Sequence, residues 1–230
     1  MEPSKRGSQP RPRRCSDSSG ASGLVRVWRE LWSAPNGDAI YRQSSFLAGQ
    51  LKQKVAANNI TGIDDGTIPG GFGTEPFDGE GVPTQRTAVI ENGVLKSYLL
   101  NTYTAKKLGL TTTGNASRGL AGNPGIGSGN FFLQAGDRTP QQIIGGIRRG
   151  LYVIEFLGFG VNMVTGDFSR GASGLWIENG ELAYPVEEIT VAGNLKDMLK
   201  NISEIGNDLE FRGSTAAPTL RIDGMMIAGE

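Results

Sequence analysis

Arg86-Thr87-Ala88-Val89-Ile90-Glu91-Asn92-Gly93-Val94-Leu95 carries the strongest local signal in the chain. A β-prone run meets Asn-Gly, a pair that readily takes the positive φ values of a tight hairpin turn, and a second apolar run follows. The spacing predicts a hairpin within 84–104, strand-like Arg86–Ile90 being answered by Val94–Tyr103. The same four letters return as Ile177-Glu178-Asn179-Gly180, again between apolar, β-prone runs. Four matching residues do not make a repeat of fixed period, but they predict two similar hairpins in one antiparallel sheet system.

Around these hairpins the pattern turns helical three times. Ser44 and Ser45 are placed to cap a short helix with Phe46, Leu47, Leu51 and Val55 on one side. Thr139-Pro140 opens a second, followed by Ile143, Ile144, Ile147 and Leu151 at helical spacing. Asn194 caps a third, whose stripe Leu195, Met198, Leu199, Ile202 and Ile205 ends at Gly206. Thr219–Ile222 and Met225–Ile227 read as closing strands. Strand runs interrupted by two or three helices predict an α+β fold, with mainly antiparallel sheet built from hairpins and two or three packed helices.

Two stretches read as loops. Residues 61–73 are rich in turn residues and contain Asp64-Asp65-Gly66, and Gly114 to Gly129 carries six glycines. A sixteen-residue Gly/Asn/Ser loop inside a domain is either functional or disordered. Residues 1–23 are rich in Ser, Pro, Arg and Gly and hold almost no aliphatic side chains, so they bury too little to offset their ordering entropy. The chain divides, on this reading, into a disordered or atypical tail over 1–33 and a domain over 34–230.

Composition excludes more than it suggests. The 230 residues include 23 basic and 23 acidic ones, but residues 1–14 hold five Lys/Arg and one acid. That leaves 18 basic and 22 acidic residues and a charge of −4, which argues against nucleic-acid binding through the body. The chain has no histidine and one cysteine, Cys15. A Ser-His-Asp triad, a Cys-His dyad, a His-ligated zinc and an internal disulfide are all ruled out on this chain. No apolar run approaches the roughly 18 residues of a membrane helix, and no apolar stretch follows the basic N-terminus as in a secretory signal. The expectation is a cytoplasmic protein with no membrane contact.

Several motifs carry chemistry without deciding it. Paired acids occur at Asp64/Asp65, Asp78/Glu80 and Glu187/Glu188. Asp78 and Glu80, separated by one glycine, could share a loop and bind a cation or do acid–base work, or be solvated turn acids. Glu187 and Glu188, as strand neighbours, would point to opposite faces. In Thr165-Gly166-Asp167-Phe168-Ser169-Arg170-Gly171-Ala172, Asp167 and Arg170 read either as a structural ion pair or as a grip on a peptide. Serines lie nearby, but no histidine exists to activate them. A Ser–Lys hydrolase remains a third, minor alternative without a local Ser-x-x-Lys.

Longer strings carry a resemblance. Phe77-Asp78-Gly79-Glu80-Gly81-Val82-Pro83-Thr84-Gln85-Arg86 and Ala105-Lys106-Lys107-Leu108-Gly109 resemble the TldD/PmbA family, as does the 165–172 string. Tyr184-Pro185-Val186-Glu187-Glu188-Ile189-Thr190-Val191-Ala192-Gly193-Asn194-Leu195, with the 165–172 string, resembles its PmbA (TldE) branch. The match runs in family order from about Gly37 to the C-terminus.

The resemblance implies a TldE/PmbA-like subunit of a cytoplasmic TldD–TldE metallopeptidase complex that acts on unfolded peptides. The family is linked to peptide-antibiotic maturation, antitoxin turnover and an older role as modulator of DNA gyrase. In the TldD-type subunit a His-Glu-x-x-x-His helix and a later cysteine hold zinc. The corresponding stretches here, Leu24 to Trp32 and Arg212 to Pro218, contain neither histidine nor cysteine. The implied cofactor is therefore none on this chain and zinc on a TldD-like partner, with no catalytic residue assigned here. The family's N-terminal half is missing, which suggests a shortened or frameshifted C-terminal domain. Asp78, Glu80, Arg86, Asn115, Asp167 and Arg170 are the candidates for a peptide-cleft wall. The alternative is a non-enzymatic interaction module of the gyrase-modulator kind.

Overall fold

A computed structural model describes residues 18–24, as backbone, and 33–229. In chain order the elements are β1 (Ser18–Leu24), α1 (Gly37–Tyr41), β2 (Gly62–Asp65), β3 (Arg86–Glu91), β4 (Val94–Leu95) and α2 (Thr102–Leu108). Then come β5 (Ala116–Ser117), β6 (Gly125–Ile126), β7 (Asn130–Leu133), α3 (Pro140–Gly145), β8 (Arg149–Leu157) and β9 (Asp167–Glu178). The chain closes with β10 (Glu181–Asn194), α4 (Leu195–Lys200), β11 (Ile202–Ile205), β12 (Thr215–Ala216) and β13 (Leu220–Ala228). The fold is α+β as expected, with four short helices among the described residues. Of the tail expected over 1–33, Ser18–Leu24 forms β1 and Ser33 begins the described body, and the rest lies outside the described residues.

One sheet runs β1-β8-β9-β10-β13-β11, with β1 also paired to β13, so five of its strands form a ring. The other runs β12-β7-β2-β3-β4, and β5-β6 is a separate ribbon. Among the described residues, pairings between these strands are antiparallel except β1 with β8 and β12 with β7. One buried cluster joins the sheets, from Val89, Phe131 and Leu133 on one to Leu151, Phe168 and Trp176 on the other. Among the described residues no helix is long and apolar enough to cross a membrane.

Both Asn-Gly turns form as expected. Asn92 and Gly93 have φ of 50° and 79°, Asn179 and Gly180 of 50° and 85°, so both residues of each pair are left-handed. The two hairpins lie in different sheets, however: β3–β4 in the smaller one and β9–β10 in the larger. The β4 arm is two residues long because the chain turns away, and Asn101 then caps α2 by accepting from Thr104 N. That helix is not evident from periodicity.

Three helical expectations need correction. Residues 44–55 are a string of turns rather than a helix. Their amides are taken by distant carbonyls, Phe46 by Met163, Lys52 by Leu95 and Val55 by Gly93, and Gly49 and Lys52 have positive φ. The helix near there is α1, capped by Asn36. The Thr139 helix is real, with a complete capping box to Gln142, but ends at Gly145, and Leu151 belongs to β8. Asn194 does cap α4. Ile202 and Ile205, though, are the two buried ends of β11, because a spacing of three also fits a strand that bulges against β13. Two further readings shift. The closing strands are one strand with Gly224 at φ 75°, and the loop expected over 61–73 contains β2. Glu187 and Glu188 sit where β10 bulges, Glu188 having φ 54°, so strict face alternation does not hold there.

Gly93 shows how closely the first turn is held. Its amide donates to the Ile60 carbonyl, and its own carbonyl accepts from Val55 and Ala56. A Cβ there would meet the Ala56 and Ala57 carbonyl oxygens in a conformation that L-residues avoid. Gly93→Ala is therefore expected to destabilise the domain by at least about 2 kcal/mol, read as a lowered urea midpoint at unchanged slope.

Candidate functional site

The smaller sheet places acids where a chain rarely tolerates them. Strand β2 is buried along its whole length, between β3 on one edge and β7 on the other. Its last two residues are Asp64 and Asp65. Asp65 is satisfied locally: its carboxylate accepts from the Thr67 amide at 2.8 Å and hydroxyl at 2.6 Å, and Arg86 lies 3.8 Å away. Asp64 is 2% exposed and reaches into the Gly114–Gly129 region instead. The Asn115 side-chain amide donates to Asp64 Oδ2 at 2.6 Å and to the Gly127 carbonyl at 3.1 Å. Asn115 Oδ1 in turn accepts from the Thr113 hydroxyl at 2.6 Å. The Gly129 amide faces the carboxylate, but among the described residues no donor meets Oδ1 in hydrogen-bond geometry.

A cleft of about 350 Å³ opens over this carboxylate. Its walls come from β2, from 66–85 and from the stretch around β5 and β6, with Glu75, Asp78 and Arg118 among the lining side chains. Asp78 is buried and accepts from the amides of Glu80, Val82 and Ala116, at 2.9, 3.0 and 2.9 Å, which ties one wall to the other. Asn130, fully buried at the start of β7, accepts from Gly73 N and donates to the Asp65 carbonyl and the Thr74 hydroxyl. It fixes the 66–75 segment against the sheet. Gly129 passes so near Gly66 that an added Cβ would lie 2.9 Å from the Gly66 Cα.

The six residues expected to form a cleft wall separate in space. Asp78 and Asn115 line this cleft together. Glu80 points away and accepts from Thr102 N at 2.8 Å, where its charge suits the start of α2. Arg86 sits at the end of β3 beside Asp65. Asp167 and Arg170 belong to the larger sheet. Three residues apart on β9, in uninterrupted register with β10, they face opposite sides. Asp167 accepts from Thr165 Oγ1 and Asn194 Nδ2, which holds its carboxyl below its ordinary pKa, Thr165 contributing most. Arg170 lies over the Phe156 ring. Asp64, the most buried acid of the cleft, is not among the expected wall residues: its sequence setting reads as a turn-rich loop, whereas it lies in β2.

These features fall in one class. Residues 21–229 match the family described as the PmbA/TldA metallopeptidase C-terminal domain. The chain belongs to this PmbA/TldD family, on its PmbA (TldE) branch. It is 40% identical over 210 residues to the metalloprotease PmbA of Escherichia coli O157:H7, covering 91% of this chain and 44% of that protein. A metalloprotease of Methanothermobacter thermautotrophicus is 35% identical over 218 residues, covering 89% of this chain and 48% of its own length. Among solved structures, a candidate modulator of a DNA gyrase from Thermotoga maritima superposes with a TM-score of 0.86 at 32% identity, over 94% of this chain and 51% of that one. TldE from Thermococcus kodakarensis gives 0.84 at 28% identity, over 94% and 51%. The chain spans about half the length of the relatives it matches.

The donor set does not fit the zinc associated with the family. Imidazole is absent from the whole sequence, and among the described residues no three His, Cys, Asp or Glu side chains converge. Of Leu24 to Trp32, where the resemblance would place the zinc helix, residues 25–32 lie outside the described residues. The segment 212–218 leads into β12, beside β7.

Burial pushes the Asp64 carboxyl up to about 6, Asn115 and Gly129 opposing the rise and the Asp65 charge adding to it. A carboxyl raised in the folded state binds its proton more tightly there than in the unfolded chain. Its ionisation therefore costs stability, the cost being absent below about pH 4 and complete above about pH 6. Asp64→Asn is expected to match the parent below pH 4 and to become more stable than it as pH rises, by on the order of 3 kcal/mol at pH 7. Urea unfolding of both proteins from pH 4 to 8 checks this, and parallel curves would show that Asp64 titrates normally.

Proposed function

We propose that this chain is a TldE-type subunit of a cytoplasmic TldD–TldE metallopeptidase complex, and that it contributes a wall of the peptide-binding cleft and a dimer surface while the TldD-like partner holds zinc. The observation that carries the reading is the missing histidine in a chain of this family, beside a cleft whose walls include the backbone of several glycines, Gly66, Gly73, Gly79 and Gly127 among them. A wall of backbone groups suits unfolded peptides of varied sequence, because extended chains offer the same amides and carbonyls whatever their side chains. The relatives named PmbA and TldE support the branch, and their metalloprotease names support the reaction class.

Purified alone, the chain is expected to hold no stoichiometric zinc and to cleave no peptide. Mixed with a TldD-type subunit, it is expected to co-elute in size exclusion and to give peptide cleavage that a chelator abolishes. Metal analysis and a peptide-cleavage assay on the same fractions decide the matter. One zinc per isolated chain would remove the reading. The solved relatives named as candidate gyrase modulators favour a second one, a non-enzymatic interaction module. A pull-down that recovers gyrase and never a TldD-like subunit would establish it instead.

A further inference from the structure

We infer that the cleft over β2 seats a primary ammonium group, carried by a peptide N-terminus or by a lysine side chain, with the Asp64 carboxylate as its counter-ion. The inference rests on the cleft being a peptide wall and adds the chemical group that it selects.

The oxygen inventory of the cleft leads there. Asp78 is the more engaged of the two buried cleft carboxylates, since three backbone amides take three of its roughly four acceptor sites and hold it in place. Asp65 is occupied by Thr67 and lies beside Arg86. Asp64 has its Oδ2 taken by Asn115, while its buried Oδ1, with the Gly129 amide nearby, is met by no donor in hydrogen-bond geometry among the described residues, and the residue lines a cleft large enough for several side-chain atoms. An acceptor left alone in a buried setting is costly and is characteristically completed by something the chain does not itself supply. The charges facing it are Asp65 on its own strand, Glu75 and Asp78 from 66–85, and Arg118 from the β5 side. Asp65 is offset by Arg86, so the lining itself carries three acids, Asp64, Glu75 and Asp78, and one base, Arg118, which favours a cation and opposes a carboxylate or phosphate.

The same inventory says which cation. A guanidinium fork binds a carboxylate best through both oxygens, and one of these is already engaged. A divalent metal needs several oxygen ligands, and no such group of side chains converges among the described residues. An ammonium is a compact charge that can give one N–H to Oδ1 and turn the others to backbone carbonyls. The glycine backbones of the wall would let it approach closely.

Four C-terminally labelled, amidated hexapeptides on the full chain test this by fluorescence anisotropy. One has a free N-terminus and no lysine, and the other three are N-acetylated, with one lysine, one arginine or neither. The free-amine or lysine peptide is expected to bind at least tenfold tighter than both the arginine peptide and the uncharged one, and which of the two does so identifies the source of the ammonium. Asp64→Asn is expected to erase the difference. Should that variant fail to fold, the contrast among the peptides on the parent chain decides alone. Equal binding of all four would overturn the ammonium seat and leave the peptide wall standing. If no peptide binds, n-butylammonium is titrated on the parent and on Asp64→Asn. Binding to the parent alone keeps the seat and removes the peptide wall, and no binding removes both.

Discussion

The hydrogen bond from Asn115 to Asp64 is the joint on which the smaller sheet and its cleft depend. A carboxylate in the middle of a strand buried on both sides would be expelled or neutralised without a partner. Asn115 supplies that partner from a segment with little secondary structure of its own. The bond is short, 2.6 Å, and its donor is fixed in turn by the Gly127 carbonyl and the Thr113 hydroxyl. A glycine-rich stretch that could sample many conformations is thereby held against the sheet centre, and the ribbon β5–β6 is held with it.

Asp78 and Asn130 extend the same device. Each is a buried polar side chain whose partners are mostly backbone amides and carbonyls, at least one of them on another segment of the cleft. Bonds of this kind position loops without filling space with side chains. The result is a cleft in which glycine backbone alternates with polar side chains such as Asn115 and Ser117 and a few charged ones. The larger sheet is organised differently: long strands, an aromatic and aliphatic interior around Trp176 and Phe168, and polar fastening at its rim through Asp167, Thr165 and Asn194. One sheet gives rigidity, and the other carries the cleft.

What the sequence shows of this follows from the range of each interaction. Asn92-Gly93 and Asn179-Gly180 are legible because a hairpin turn is decided within a few residues, and the caps Thr139 and Asn194 for the same reason. Failures begin where distant backbone takes over. Phe46, Leu47, Leu51 and Val55 have helical spacing, yet their segment donates to Met163, Leu95 and Gly93, and those bonds preclude a helix. Ile202 and Ile205 continue a helical stripe on paper and form a strand because β13 offers an open edge beside them. Gly62-Ile63-Asp64-Asp65 has the composition of a turn, and only pairing on both edges makes it a strand. Asp78 and Asn115 could be singled out by residue type and setting, whereas the role of Asp64 required the knowledge that β2 lies between β3 and β7.

The absence of histidine bears on the function through these same carboxylates. A metallopeptidase site needs several lone pairs that converge and are not otherwise engaged, and neutral imidazole supplies them most readily. In this domain Asp78 and Asp65 are engaged by amides and hydroxyls, Glu80 by the start of α2, and half of Asp64 by Asn115. Using any of them as metal ligands would release the loops that shape the cleft. Stability of the cleft and possession of a metal thus compete for the same atoms. The proposed division of labour between two subunits, one ligating metal and one shaping the peptide, would resolve that competition physically, because each could then commit its acids to a single task.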